Sequence, residues 1–351
     1  MMSQKMLSVG IFGSGFMGRT YAECLARYTK DAELIAVTGG TRAKQLAHDY
    51  AVSWESNTAS ILQREDIDAV IITTPEIVHE AQTLEAAKYG KHVLVEKPMG
   101  PTTEACTAMI QACSKANVLL MPIQSQRFRM VNARAHQLIQ EGTIGRVRQV
   151  RHWSTALFSN TEMMLKNKPF LTDPDGGGLF MGVNSHSMDM IRWLVGSEAR
   201  SIFAKITTLH GSKIPYLSMM AQIEFQNDAL AQVWWSAEMP GTKLSESRFH
   251  TQIVGTKGIL DCPAYQHLDL YDESGHKRIL TQPTFDPKDP LDRVRLVSFS
   301  TMVQEFIDAI IENRKPSVLA EEGRASIAMC EAAKKSTHLG KSVAIPEWEG
   351  N

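Results

Sequence analysis

The chain is short of the features that define several large protein classes. Of its 351 residues only five are cysteine (Cys24, Cys106, Cys113, Cys262 and Cys330), an odd number without a Cys-x-x-Cys pair. This argues against both a disulfide framework and a structural zinc site, and it fits a reducing, cytoplasmic setting. No apolar run approaches the ~18 residues that a membrane span needs. Neither sign of charge prevails, with 37 Lys plus Arg against 38 Asp plus Glu and a net charge of -1. The basic surface that a nucleic-acid partner would require is therefore missing, and a small molecule is the expected ligand. Internal repeats, low-complexity tracts and linkers rich in Pro, Gly or Ser are absent as well. Lys5 and the stretch from Leu7 to Met17 have the outline of a leader peptide. Cleavage there would remove a strand and the glycine turn after it, so the segment is expected to stay in the fold.

What is present is alternation. Short apolar runs at Leu7–Phe12, Leu34–Val37, Ala69–Thr73, Val93–Glu96 and Val118–Ile123 are separated by helical stretches at 17–28, 43–50, 76–89 and 104–116. That is the βαβ pattern of a parallel sheet covered on both faces. From about Val147 the period changes to two: Met219, Ala221, Ile223 and Phe225 alternate with Met220, Gln222 and Glu224, and Asn227-Asp228 supplies a hairpin turn. Near the end, Val303, Phe306, Ile307, Ile310 and Ile311 form one apolar helix face. The expected class is α/β: a doubly wound parallel sheet of Rossmann type over residues 1–124. An α+β domain with an open, mainly antiparallel sheet follows over 125–351, its C-terminal helix packing back on the first domain.

Gly13-Ser14-Gly15-Phe16-Met17-Gly18 follows the first strand and opens a helix. In such a loop the first glycine makes the turn, the second admits a pyrophosphate and the third lets helix and strand close up. Phe16 and Met17 join these glycines as expected cofactor contacts. Some 20 residues on, where a carboxylate would grip the ribose 2′-hydroxyl of NAD, the chain has Thr38-Gly39-Gly40-Thr41-Arg42. Thr41 and Arg42 suit a 2′-phosphate, so NADP is favoured over NAD. Thr74 and Pro75, at the end of the next strand, stand where a nicotinamide ribose would pass, and His79 is a further cofactor candidate.

Val93-Leu94-Val95 runs directly into Glu96-Lys97-Pro98. A lysine at the carboxyl end of a parallel strand faces the crevice in which such sheets bind ligands, and Glu96 and Lys97 are both expected beside the cofactor. Asp173, Asp175 and the 11 histidines show no His-x-x-x-His or comparable cluster, and no metal site is expected.

These elements resemble one family. The fingerprint, Thr74-Pro75, the run Gly90-Lys91-His92-Val93-Leu94-Val95-Glu96-Lys97-Pro98, Ile144-Gly145-Arg146-Val147, and Gly176-Gly177-Gly178 with the later His186 are similar to the glucose–fructose oxidoreductase, inositol dehydrogenase and rhizopine-catabolism (Gfo/Idh/MocA) family. The likeness extends through Gly340-Lys341-Ser342-Val343 to Pro346. It implies a Rossmann domain, a second domain on an open antiparallel sheet, and hydride exchange between a nicotinamide and a CH–OH carbon of a sugar or cyclitol. It also implies homodimers or homotetramers formed through that sheet. The family pattern has Asp or Asn four residues before the catalytic histidine, where this chain has Gly182.

Removing a hydroxyl proton while hydride leaves carbon calls for a base at the substrate oxygen. His186 is the candidate. Asn184-Ser185 would cap a helix beginning beside it, and a helix amino terminus disfavours the imidazolium, leaving a neutral base. Lys97 would donate to the same oxygen and stabilise alkoxide character, while Glu96 orients. Arg127, His152, Trp153 and Asn184 are candidate substrate contacts, since sugars offer hydroxyls to polar groups and CH faces to aromatic planes. Two other classes remain open: a hydrolase or lyase whose bound nucleotide is transiently reduced and regenerated, and a nucleotide-binding regulator without turnover.

Overall fold

The computed structural model describes residues 6–167, 169–172, 178–209, 214–241, 249–263, 265–348 and 350. The chain divides into two compact units, residues 1–128 with 285–324, and residues 129–284 with 325–351.

In the first unit the strands are β1 (Leu7–Phe12), β2 (Ala32–Thr38), β3 (Ser53–Glu55), β4 (Ala69–Ile72), β5 (His92–Val95) and β6 (Leu120–Pro122). The helices between them are α1 (Phe16–Arg27), α2 (Ala43–Asp49), α3 (Thr58–Leu62), α4 (His79–Lys88) and α5 (Thr103–Lys115). All strand pairs are parallel, in the order β3-β2-β1-β4-β5-β6. The order reverses at β1, so the crevice for a ligand lies at the carboxyl ends of β1 and β4, beside β5. Ala69–Ile72 and Val93–Val95 are buried throughout, as strands covered on both faces must be. β3 and α3 had no counterpart in the sequence reading: Ser53-Trp54-Glu55 is too short and too exposed to show a period.

The second unit holds a nine-stranded sheet. Its strands are β7 (Val147–Leu157), β8 (Ala199–Thr207), β9 (Ser218–Phe225), β10 (Leu230–Met239), β11 (Phe249–Gly255), β12 (Gly258–Pro263), β13 (His267–Asp272), β14 (Gly275–Thr281) and β15 (Val343–Ala344), in the order β14-β13-β12-β11-β7-β10-β9-β8-β15. Every pairing is antiparallel except β7 with β10. The hairpin between β9 and β10 turns at Asp228, whose φ of 64° is one that Asp tolerates. The alternation resolves as foreseen: Met219, Ala221, Ile223 and Phe225 are buried, while Met220, Gln222 and Glu224 are exposed. Helices α6 (Met130–Gln140), α7 (Phe158–Asn167) and α8 (Gly178–Val195) precede β8, and α10 (Ala320–Leu339) precedes β15.

The division differs from 1–124 and 125–351 because the chain returns to the first unit. Helix α9 (Arg293–Ile311) begins at Asp292, whose side chain accepts from Arg295 N. It lays Leu296, Phe299, Met302, Val303, Phe306 and Ile307 into one core with Val9, Ile11, Tyr21, Leu25, Ile71 and Leu94. The apolar face read from the sequence is thus the inner wall of the first unit.

Candidate active site

The fingerprint loop is shaped by contacts that only glycine permits. Gly13 adopts φ +105°, and a Cβ there would stand 2.5 Å from Thr73 Oγ1. A Cβ on Gly18 would lie 2.1 Å from the Gly13 carbonyl oxygen, so α1 and β1 approach to backbone contact. Among the described residues, a Cβ at Gly15 would meet nothing within 4 Å, and no side chain caps the first turn of α1. Open space against uncapped N–H groups fits a dinucleotide pyrophosphate. The side chains of Phe16 and Met17 turn elsewhere. Phe16 lies under the Arg295 guanidinium at 4.7 Å, and Met17 packs on the core, which leaves their backbones to a ligand.

Beyond β2, Gly39 and Gly40 both adopt φ +80°, and Thr41 and Arg42 are exposed. Thr38 does not join them. It is fully buried, and its hydroxyl donates to the Glu55 carbonyl at 2.9 Å. Thr74 and Pro75 follow β4 as expected, but the Thr74 hydroxyl is committed to Gln82 Oε1 at 2.6 Å. His79, a cofactor candidate from its place on a helix, is instead sealed inside the unit. Its Nδ1 lies 3.0 Å from the Pro98 carbonyl oxygen and its Nε2 2.8 Å from that of Thr74. Burial, the largest influence on it, pushes its pKa down despite those carbonyls.

Lys97 is half-buried at the carboxyl end of β5. Two strand spacings separate β5 from β1, about 10 Å along the same sheet edge. The preceding Glu96 is buried and faces inward rather than toward a cofactor: Oε1 accepts from the Tyr21 hydroxyl at 2.8 Å, and Oε2 from the Lys97 amide at 2.9 Å. Tyr21 comes from α1, so one carboxylate joins the fingerprint helix to the lysine. Burial first, then the Glu96 carboxylate, raises the Tyr21 phenol well above its usual range and keeps it a donor. The sequence reading missed Tyr21. The signal was a phenol on the buried face of a helix, whose polar tip has to find a partner.

In the second unit the helix carrying His186 starts six residues before the expected cap. Gly178, at φ +61°, opens α8, and Leu179-Phe180-Met181 fills its first turn. Asn184 and Ser185 are therefore interior, and the helix-terminus argument for a neutral His186 does not hold. Asn184 is tolerated there because its Nδ2 donates to the Phe180 carbonyl one turn back, at 3.1 Å. It is completely buried and offers no surface to a sugar. His186 is partly exposed on the same helix face as Gly182, one turn earlier. Among the described residues, a Cβ on Gly182 would make an ordinary contact, 3.7 Å from Leu171 Cδ2. Gly176 and Gly177, with Asp173 and Asp175, lie outside the described residues.

The other substrate candidates are placed differently from expectation. Arg127 is buried in the first unit and pairs with Glu322 at 3.0 Å. His152 is buried against α8, its Nε2 3.0 Å from Ser187 Oγ and its Nδ1 2.9 Å from Thr251 Oγ1. Burial, with a smaller contribution from His250, pushes that imidazole down to about 3. Trp153, the next residue on β7, points to the opposite face because side chains alternate along a strand. There its ring lies tilted against that of His250, centroids 4.0 Å apart, and neighbours Trp234, away from α8. No group of three metal-binding side chains occurs among the described residues, and none of their helices is long and apolar enough to cross a membrane.

Known proteins align with this architecture. The model of the oxidoreductase family with an NAD-binding Rossmann fold matches residues 7–124, and that of the GFO/IDH/MocA C-terminal domain matches residues 132–261. The myo-inositol 2-dehydrogenase of Thermotoga maritima is 24% identical, over 97% of this chain and 99% of its own. The 2,7-anhydro-N-acetylneuraminate hydratase of Mediterraneibacter gnavus is 21% identical over 98% of each chain. A solved oxidoreductase of Agrobacterium radiobacter, in complex with NAD+, L-tartaric acid and magnesium, shares the fold. Its TM-score is 0.86 at 19% identity, and the match covers 97% of this chain and 99% of that one. With both halves matched by models of one family and a fingerprint built for a dinucleotide, the chain belongs to the Gfo/Idh/MocA oxidoreductases.

Proposed function

We propose that the protein oxidises a CH–OH carbon of a cyclitol, sugar or related polyol, or reduces the corresponding ketone, with Lys97 and His186 as its catalytic residues. The observation that carries this reading is Lys97 on the sheet edge that bears the fingerprint, its amide held by a carboxylate tied to α1. Gly13, Gly15 and Gly18 with the N–H groups of Phe16 and Met17 would hold a dinucleotide, whose nicotinamide supplies the hydride acceptor or donor when bound. The Lys97 ammonium would donate to the substrate oxygen as alkoxide character develops, and His186, the candidate base in the second unit, would take a hydroxyl proton. Arg42 and Thr41, both exposed beyond β2, support NADP over NAD. The outer sheet face carries exposed Phe203, Met220, Leu230 and Trp234, a patch that supports self-association into dimers or tetramers. Five buried, unbridged cysteines support a reducing, cytoplasmic setting.

The test follows the absorbance of reduced nicotinamide with NAD or NADP and a panel of cyclitols, aldoses and anhydrosugars headed by myo-inositol, then repeats it with Lys97→Met. Turnover should fall by ~1000-fold or more while nucleotide affinity holds. Unchanged turnover would remove Lys97 from the mechanism. A second reading, redox-assisted addition or elimination of water, is favoured by the likeness to a hydratase. Conversion of 2,7-anhydro-N-acetylneuraminate without net change in nucleotide redox state would select it.

A further inference from the structure

His79 lies outside the chemistry above and yet stands directly behind it. The residue opens α4, is buried, and places its two ring nitrogens against the carbonyls of two different turns, Thr74 after β4 and Pro98 after β5. Carbonyls only accept, and a neutral imidazole donates from one nitrogen alone, so the tautomer decides which of the two carbonyls is bonded. The two turns differ in what else secures them. That of Thr74 has its own anchor in the Thr74 hydroxyl, bonded to Gln82. Pro98 is the residue next to Lys97, whose amide is gripped from the other side by Glu96 Oε2. The lysine backbone is thus bracketed, by a carboxylate at its own N–H and by an imidazole one peptide further on.

We infer that His79 is a positioning residue for Lys97, acting through the bond from its Nδ1 to the Pro98 carbonyl. This rests on the reading that Lys97 works on the reacting oxygen. Because the imidazole is buried between two of the sheet's own turns, the Nδ1 bond holds the lysine's backbone still without touching substrate or cofactor. Small displacements of a catalytic group cost rate rather than affinity, about 100-fold for 1 Å.

The two nitrogens are separable by substitution. The amide nitrogen of asparagine reaches the place of Nδ1, and that of glutamine the place of Nε2. The experiment compares His79→Asn, His79→Gln and His79→Leu with Lys97→Met. Turnover is measured with the most active polyol of the panel, and Lys97 is trace-labelled with acetic anhydride in the NAD-loaded protein and quantified by mass spectrometry against Lys88. The Asn variant should keep kcat within ~3-fold, while Gln and Leu lose ~10-fold or more at nearly constant KM. Labelling of Lys97 should rise in Gln and Leu only. Three variants that behave alike in both readouts, whether unchanged or equally impaired, would overturn the inference while an inactive Lys97→Met left the catalytic reading standing. An active Lys97→Met would overturn both. If the Leu variant does not fold, the Asn and Gln pair decides.

Discussion

Replacing His152 with glutamine and following urea unfolding between pH 7 and pH 5 isolates the contribution of one buried imidazole. In the folded chain His152 lies between two hydroxyls, Ser187 and Thr251, each able to donate or accept, so the neutral ring is satisfied and the charged ring gains no carboxylate. Its pKa stands at about 3 in the fold, against about 6.5 in an unfolded chain. The folded value is the depressed one, so between these values the unfolded state binds the extra proton. Stability is fully present above about pH 6.5 and is lost as the pH falls toward 3. From pH 7 to pH 5 the wild type should lose about 2 kcal/mol that the glutamine variant keeps, about 30-fold in the unfolding equilibrium. At a slope of about 2 kcal/mol per M, that is about 1 M in the urea midpoint. The variant is less stable at neutral pH, so the informative quantity is the difference in pH dependence. If both proteins lose stability equally on acidification, His152 is not held neutral by its surroundings and the reasoning fails.

Two further outcomes follow from the glycines. Gly18→Ala forces a Cβ to within 2.1 Å of the Gly13 carbonyl oxygen. It should weaken NADH binding, read by nicotinamide fluorescence, at least ~5-fold, since overpacking of this kind costs ~1–3 kcal/mol. The Cβ of Gly182→Asp would meet Leu171 Cδ2, among the described residues, at an ordinary distance, so the variant should fold. Its carboxylate, one turn from His186, would favour the imidazolium and move the acid limb of the kcat/KM profile to higher pH. A profile that stays in place would separate the two side chains.

Sequence patterns were legible where backbone periodicity and glycine sterics dominate. β1 was bounded to the residue because an apolar run meets a loop that only glycine can make. The twist from the parallel to the mainly antiparallel sheet showed itself in the change from continuous apolar runs to alternation. Side-chain destinations were less legible. His152 and Trp153 look equivalent as candidates, yet adjacent strand residues face opposite sides, and only packing reveals which side α8 covers. Asn184-Ser185 imitates a helix start because the same groups that cap a helix can bond back along one. The burial of His79 was not legible, since the two turns that enclose it lie 5 and 19 residues away in sequence.

The return of residues 285–324 to the first unit bears on how the protein is made. A ribosome that has released the first 128 residues has delivered all six parallel strands but none of α9, whose six apolar side chains close their core. The nucleotide-binding half therefore has to wait, with a greasy flank uncovered, until the rest of the chain has emerged. A fragment ending at the apparent domain boundary would expose that same flank, and clumping rather than cofactor binding is its expected fate.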